Sequence, residues 1–175
     1  MKIKTITVFL ILSLVIITQA HSFGLGVQAN FRTVDSFETG MALLFSPSEI
    51  INIAGNWFIA PDGERNSLGF TLDICPFPLP SAEPRILCFT LGVGFFGWAV
   101  MFKNDKGESD SEFDGGFRIP LGVKFYPVQN FIEIFAHIAP SFEVSFTPQF
   151  TVDRETFFLP IAVGVRVWFG KKDNR

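Results

Sequence analysis

The sequence is short of the features that usually announce chemistry. It has two cysteines, two histidines and one tyrosine in 175 residues. Cys75 and Cys88 form no CxxC pair and have no histidine near them, which argues against a metal centre or thiol redox catalysis. Past residue 20 no run of eighteen apolar residues occurs, so that part of the chain holds no candidate membrane helix. Nor does any segment there show a helical period. Positive charge does not dominate: Lys and Arg number 14 against 17 Asp and Glu, for a net charge of −3. That argues against nucleic acid or an anionic surface as partner.

The abundant element is phenylalanine, with 23 residues. The other strong signal is at the N-terminus. Lys2 and Lys4 precede an apolar run from Ile6 to Ile17, and Thr18-Gln19-Ala20 supplies small residues. This pattern predicts a secretory signal peptide over residues 1–20, cleaved after Ala20. The expected barrel domain is 21–170, followed by a short tail, 171–175. Loss of Lys2 and Lys4 takes the net charge from −3 to −5. An exported chain this apolar, without a membrane helix, favours a membrane β-barrel over a secreted globule.

The last apolar stretch, LPIAVGVRVWF over 159–169, shows the pattern best. Leu159, Ile161, Val163, Val165, Val167 and Phe169 share one face, opposite Pro160, Ala162, Gly164, Arg166 and Trp168. Successive strand side chains point to opposite faces, and about eleven residues is a tilted membrane strand. Seven further alternating runs precede it, at about 23–31, 39–45, 50–59, 67–75, 85–100, 117–126 and 131–146. Turn residues separate them, notably Ser46-Pro47-Ser48, Pro61-Asp62-Gly63, a proline-laden 76–84, and Pro127-Val128-Gln129-Asn130. The expected fold is therefore all-β, an eight-stranded antiparallel up-and-down transmembrane β-barrel.

Period alone does not say which face is outside, because a soluble eight-stranded barrel alternates in the same way. Volume decides. Roughly forty large apolar side chains exceed what an eight-stranded interior can hold. The opposite faces carry Gly, Ala, Ser and Thr with a few charges. The apolar face is thus expected to meet lipid, and closure leaves no free edge in the hydrocarbon. The longer, acidic connections fall on one end and the tight turns on the other, the asymmetry of outer-membrane barrels. Trp57, Phe58, Phe95, Phe96, Trp98, Phe157 and Phe158 are expected to gird the outer interface. Tyr126, Phe131, Trp168 and Phe169 would gird the periplasmic one.

The segments FGLGVQANF, IPLGVKFYP and LPIAVGVRVWF resemble the small eight-stranded outer-membrane proteins, a family that includes OmpA-like, OmpX-like and OmpW-like barrels. The resemblance covers essentially all of the chain after residue 20. It implies a monomer in the outer membrane of a diderm bacterium, in contact with outer-membrane lipid. It also implies an encounter with the barrel-assembly machinery, which reads a terminal phenylalanine. Phe169 matches that position, but Gly170 to Arg175 follow it.

Strand parity points Asp73, Arg118, Lys124, Glu133, His137, Glu143 and Arg166 into the lumen. If Tyr126 faces Phe131, Lys124 faces Glu133. Opposite charges in a closed barrel stabilise one another where either alone would be costly. The bland reading is a salt-bridge network that plugs the lumen; the sharper one is a polar pathway for a small solute. Cys75 and Cys88 flank the proline-rich connection on the inward face, so a disulfide between them is expected. His137-Ile138-Ala139-Pro140-Ser141 lacks the His-x-Ser spacing that the outer-membrane lipid A deacylases show, and no nucleophile–base pair is evident. No enzyme and no cofactor are expected. The segment 103–116 carries Asp105, Glu108, Asp110, Glu112 and Asp114. It reads as a solvated acidic outer loop without the full Ca²⁺-loop pattern. Exposed loops are the expected place for a surface ligand. Two function classes follow: a structural or surface-interaction barrel, or a narrow channel for small hydrophobic molecules, as OmpW-like members are proposed to be.

Overall fold

The computed structural model describes residues 22–33, 37–61, 63, 65–79, 87–103, 109–128, 131–146 and 152–170. The signal-peptide and tail segments, 1–20 and 171–175, lie outside them. Eleven strands make up the described fold: β1 (Phe23–Thr33), β2 (Phe37–Ser46), β3 (Ile51–Ile59), β4 (Arg65–Leu79), β5 (Leu87–Lys103), β6 (Ser109–Arg118), β7 (Leu121–Val128), β8 (Ile132–Ile138), β9 (Ser141–Phe146), β10 (Val152–Phe158) and β11 (Ile161–Phe169). All pair antiparallel. β6 with β7, β8 with β9, and β10 with β11 are three barrel strands, each interrupted once. Counted so, eight strands close into a ring, sealed where β1 meets β11 from Phe23↔Phe169 to Phe31↔Ile161.

The register sets the shape. Followed from one strand to the next around the ring, it returns to β1 ten residues from its starting point. Eight strands with this stagger must tilt about 40° to the barrel axis, which leaves an interior just wide enough for side chains.

The three interruptions fall at prolines. Ile119 N–H donates to Pro140 O (2.9 Å), Ala139 N–H to Pro160 O (2.9 Å) and Gly92 N–H to Pro120 O (3.0 Å). In an antiparallel pair of this type the return bond would come from the partner's N–H, and proline has none. The ladder therefore continues in register through a belt of prolines that crosses three neighbouring strands. Each proline removes one of the two bonds at its position. At Ala139 the Ser141 hydroxyl takes the proline's place, donating to Ala139 O at 2.6 Å.

The faces are those of a membrane barrel. Most outward positions are apolar and exposed, with Leu43 at 73%, Met41 at 68% and Phe157 at 72%. Inward positions include buried Arg32, Glu38, Asn56, Asp73, Arg118, Glu133 and Arg166. A water-soluble domain has the reverse arrangement. On the outer face Gly97 and Gly115 pair directly. A Cβ at Gly97 would meet the Phe70 ring at 3.3 Å, so the ring covers the place where a side chain is missing.

Several strand limits differ from those the sequence suggests. β4 continues to Leu79 through Pro76 and Pro78, because a register shift between Ile74 and Phe77 admits residues that cannot donate. β6 begins at Ser109 and β5 ends at Lys103, so most of the expected acidic loop is strand. β10 begins at Val152, within the expected last loop. The aromatic girdles also need correction. Trp57, Phe95 and Phe157 face outward, as do Phe131 and Phe169. Phe58, Phe96, Trp98, Phe158, Tyr126 and Trp168 instead point inward and are buried. Even-numbered neighbours of outward residues must face the lumen, whatever their size.

Candidate functional site

The lumen is filled in layers. At the end of the bore nearest the turn between β7 and β8, Glu133, on β8, is fully buried. Arg166 Nη1 donates to its Oε1 at 3.0 Å. Tyr126 Oη and Trp168 Nε1 donate to its Oε2 at 3.0 and 2.9 Å. Lys124 Nζ stands 3.9 Å from Oε1. One carboxylate thus binds groups from β7 and β11, the two strands that flank β8. The expected Lys124–Glu133 contact is present but is the loosest of the four. Lys124 pairs in register with Phe135, because Val128 pairs with Ile132 at the turn where Tyr126 was expected to face Phe131. Glu133 therefore lies diagonally across from it. Glu133 is also the acid that pairs with Arg166.

The middle layer joins distant strands. Arg118 on β6 pairs with Asp73 on β4 (Nε–Oδ1 3.0 Å) and meets His137 Nε2 at 2.9 Å. A guanidinium only donates, so Nε2 accepts, and the ring also stacks on Phe135 at 6.0 Å. Beside it Gln28 Nε2 donates to Asn30 Oδ1 (2.7 Å) and Asn30 Nδ2 to Asn56 Oδ1 (3.0 Å). Glu143 is buried on β9, in register with Gly116 and Thr156.

The outer layer is aromatic. Phe58, Phe96, Trp98, Val100 and Phe158 form a buried cluster. Phe58 and Trp98 meet edge to face at 5.4 Å, as do Phe96 and Phe158 at 5.9 Å. The Arg32 guanidinium lies 4.1 Å from the Phe58 ring centre, a cation–π contact. It also pairs with Glu38 at 2.7 Å and donates to Ser67 Oγ at 2.9 Å. Above it Arg65 bridges Glu38 (3.3 Å), Glu112 (3.2 Å) and Asp114 (3.9 Å). Glu112 and Asp114 are therefore lumen residues of β6 and not loop residues. Asp110 is exposed at the start of that strand, and Asp105 and Glu108 lie outside the described residues. Two small cavities remain between the layers, of about 30 and about 10 Å³.

The expected disulfide is not formed, and both thiols are buried. Ile74 pairs with Val93 and Leu79 with Phe89. Cys88 therefore lies past the partner of Leu79, and Cys75 sits beside Gly92. The two inward thiols are too far apart along the strands for an S–S bond. With Leu79 opposite Phe89, the register of β4 and β5 does not fit a hairpin folded about 81 and 82.

Sequence reasoning missed Arg32, Glu38 and Arg65 because they fall in segments read as connections. Parity alone would place Arg32 and Glu38 inward once β1 and β2 are extended. Tyr126 and Trp168 carried an inward parity but were read as girdle aromatics. Nothing in the sequence marks the diagonal of Lys124 and Glu133, which depends on where the turn sets the β7–β8 register.

No protein-family model and no curated protein matches the chain in sequence. Among solved structures, Neisserial surface protein A superposes with a TM-score of 0.52 at 9% identity, over 86% of this chain and 96% of that one. The N-terminal β-barrel domain of OprF from Pseudomonas aeruginosa gives a TM-score of 0.49 at 13% identity, over 83% of this chain and 97% of that one. The likeness to Neisserial surface protein A at such low identity is one of architecture. The chain has the fold of the small, OmpA-like eight-stranded outer-membrane β-barrels.

Proposed function

We propose that the protein is a closed, non-enzymatic barrel of the outer membrane of a diderm bacterium, serving envelope structure or surface interaction through its outer end. The observation that carries this reading is the filled bore. A four-donor knot on Glu133, an Arg118–Asp73–His137 layer and an aromatic layer follow one another along the axis. The cavities between them hold at most a water or two. The exposed apolar face and the likeness to Neisserial surface protein A support the outer-membrane location. The only mature histidine past residue 21, His137, is engaged by Arg118, which supports a structural role over a general base. Contact with outer-membrane lipid, a monomeric state and passage through the barrel-assembly machinery belong to the same reading.

A second reading rests on the aromatic lining of the outer bore, Phe58, Phe96, Trp98 and Phe158. Such a wall suits a small hydrophobic solute in a narrow channel. Single-channel recording in planar bilayers separates the two. A closed barrel gives no steady conductance with the native chain, and conductance steps appear when Glu133→Ala opens the knot. Steady native conductance would favour the channel.

A further inference from the structure

The aromatic and middle layers of the bore meet at the smaller cavity. Arg32 and Trp98 line it on one side, and the Arg32 guanidinium lies 5.2 Å from the Trp98 ring centre. Two buried donors on this lining make no hydrogen bond among the described residues: Arg32 Nη1 and Trp98 Nε1. Arg32 spends its other nitrogens on Glu38 and Ser67. The two residues are only 2% and 5% exposed, and a buried donor without an acceptor is costly. With the guanidinium so close to the indole, one oxygen atom can reach both donors.

The middle layer contributes Asn30, Asn56 and Ser141 to the same lining. Asn30 Oδ1 and Asn56 Oδ1 each accept one hydrogen bond and keep a lone pair. Ser141 Oγ gives its proton to Ala139 O, so toward the cavity it only accepts. A guest must therefore accept from one side and donate to the other. Charge does not call for an ion, because the two arginines on the lining are already paired, Arg32 with Glu38 and Arg118 with Asp73. At about 10 Å³ the space is that of a single water.

We propose that this cavity is the binding site of one structural water. It accepts from Arg32 Nη1 and Trp98 Nε1, and it donates to two of the three oxygens on Asn30, Asn56 and Ser141. The water ties the aromatic layer to the middle layer. It also brings Ser141, which answers the carbonyl that Pro160 leaves open, into the same network. The inference goes beyond the closed-barrel reading, since a conducting bore could hold the same water.

The test is NMR of perdeuterated, isotope-labelled barrel in deuterated detergent, where water and exchangeable groups are the only protons. Trp57→Phe, Trp98→Phe and Trp168→Phe identify the Trp98 indole signal, and any two suffice. In the native barrel, Trp98 Nε1–H is expected to show a cross-relaxation peak at the water frequency, opposite in sign in the laboratory and rotating frames. That sign change marks a held water and not proton exchange. Ala162, also on the lining, is replaced in Ala162→Val, which fills the cavity and is expected to abolish the peak. A peak that survives this change would come from the Ser141 hydroxyl and would overturn the proposal. Crystals of the native barrel that resolve ordered water are expected to show one oxygen within about 3.2 Å of both nitrogens. That measurement stands even if the variants fail to fold. A native indole without the water peak, or crystals without the oxygen, also overturns the proposal, and the two donors would then be dry.

Discussion

The Ser141 hydroxyl sits 2.6 Å from the Ala139 carbonyl, the acceptor that Pro160 cannot serve. A bare carbonyl in a membrane wall is costly, so the serine repairs what the proline breaks. Ser141→Ala is expected to destabilise the barrel by about 1–3 kcal/mol, as for a buried acceptor left unmet. The same change in a Pro160→Ala background, where the ladder N–H is restored, is expected to cost much less. Urea melts of the four proteins in a double-mutant cycle check the coupling. Equal costs in both backgrounds would separate the two residues.

The knot on Glu133 predicts a large effect from a small change. Glu133→Gln keeps the shape and removes the charge that faces Arg166 and Lys124. A broken buried pair costs about 3–5 kcal/mol, and here two cations lose one partner. Gel-shift unfolding before and after heating measures it. A loss under about 1 kcal/mol would show that water reaches the knot.

The orientation of the faces predicts a contrast that depends on the solvent. Leu43 is outward and largely exposed, and its neighbour Leu44 is buried inside. Leu43→Arg is expected to cost about 2–4 kcal/mol in a bilayer, as an arginine near the midplane of the lipid face does. A barrel whose outer face met water would tolerate it. Reversible unfolding in phospholipid vesicles gives the number.

The thiols make a chemical prediction. Cys75 and Cys88 are buried and lie apart along the strands. Folded protein treated with a mild oxidant is expected to keep its reduced mass, and maleimide is expected to label it only after unfolding. An oxidised monomer formed without unfolding would require β4 and β5 to slide past one another.

Much of this architecture was legible from residue order. The alternation in 159–169 marks β11 because one face is uniformly large and apolar, and the same holds for β1, β3 and β7. The volume argument turned that face to lipid, and the structure agrees. What escaped was strand without an apolar signature. Ser109–Gly116 alternates acids inward with small residues and one phenylalanine outward, so it reads as a polar loop. Its partner Arg65 is what makes the acids tolerable inside, and no local pattern reveals a partner 47 residues away. Tyr126 and Trp168 were misread for the opposite reason. Their chemistry suits an interface, and only parity, together with the Glu133 carboxylate, shows that they belong to the bore.

The ring has one seam that joins distant parts of the chain, β1 against β11. Every other barrel strand pairs with its neighbour in sequence. In time, this means that seven hairpin-like steps can proceed locally and only the last must bring the two ends together across nearly the whole chain. The prolines at 120, 140 and 160 all lie in the final three barrel strands. That part of the wall therefore lacks the return bond at each of these three positions. The Glu133 knot joins β7, β8 and β11 on that side. A charged latch thus ties together the three barrel strands whose ladder the prolines interrupt.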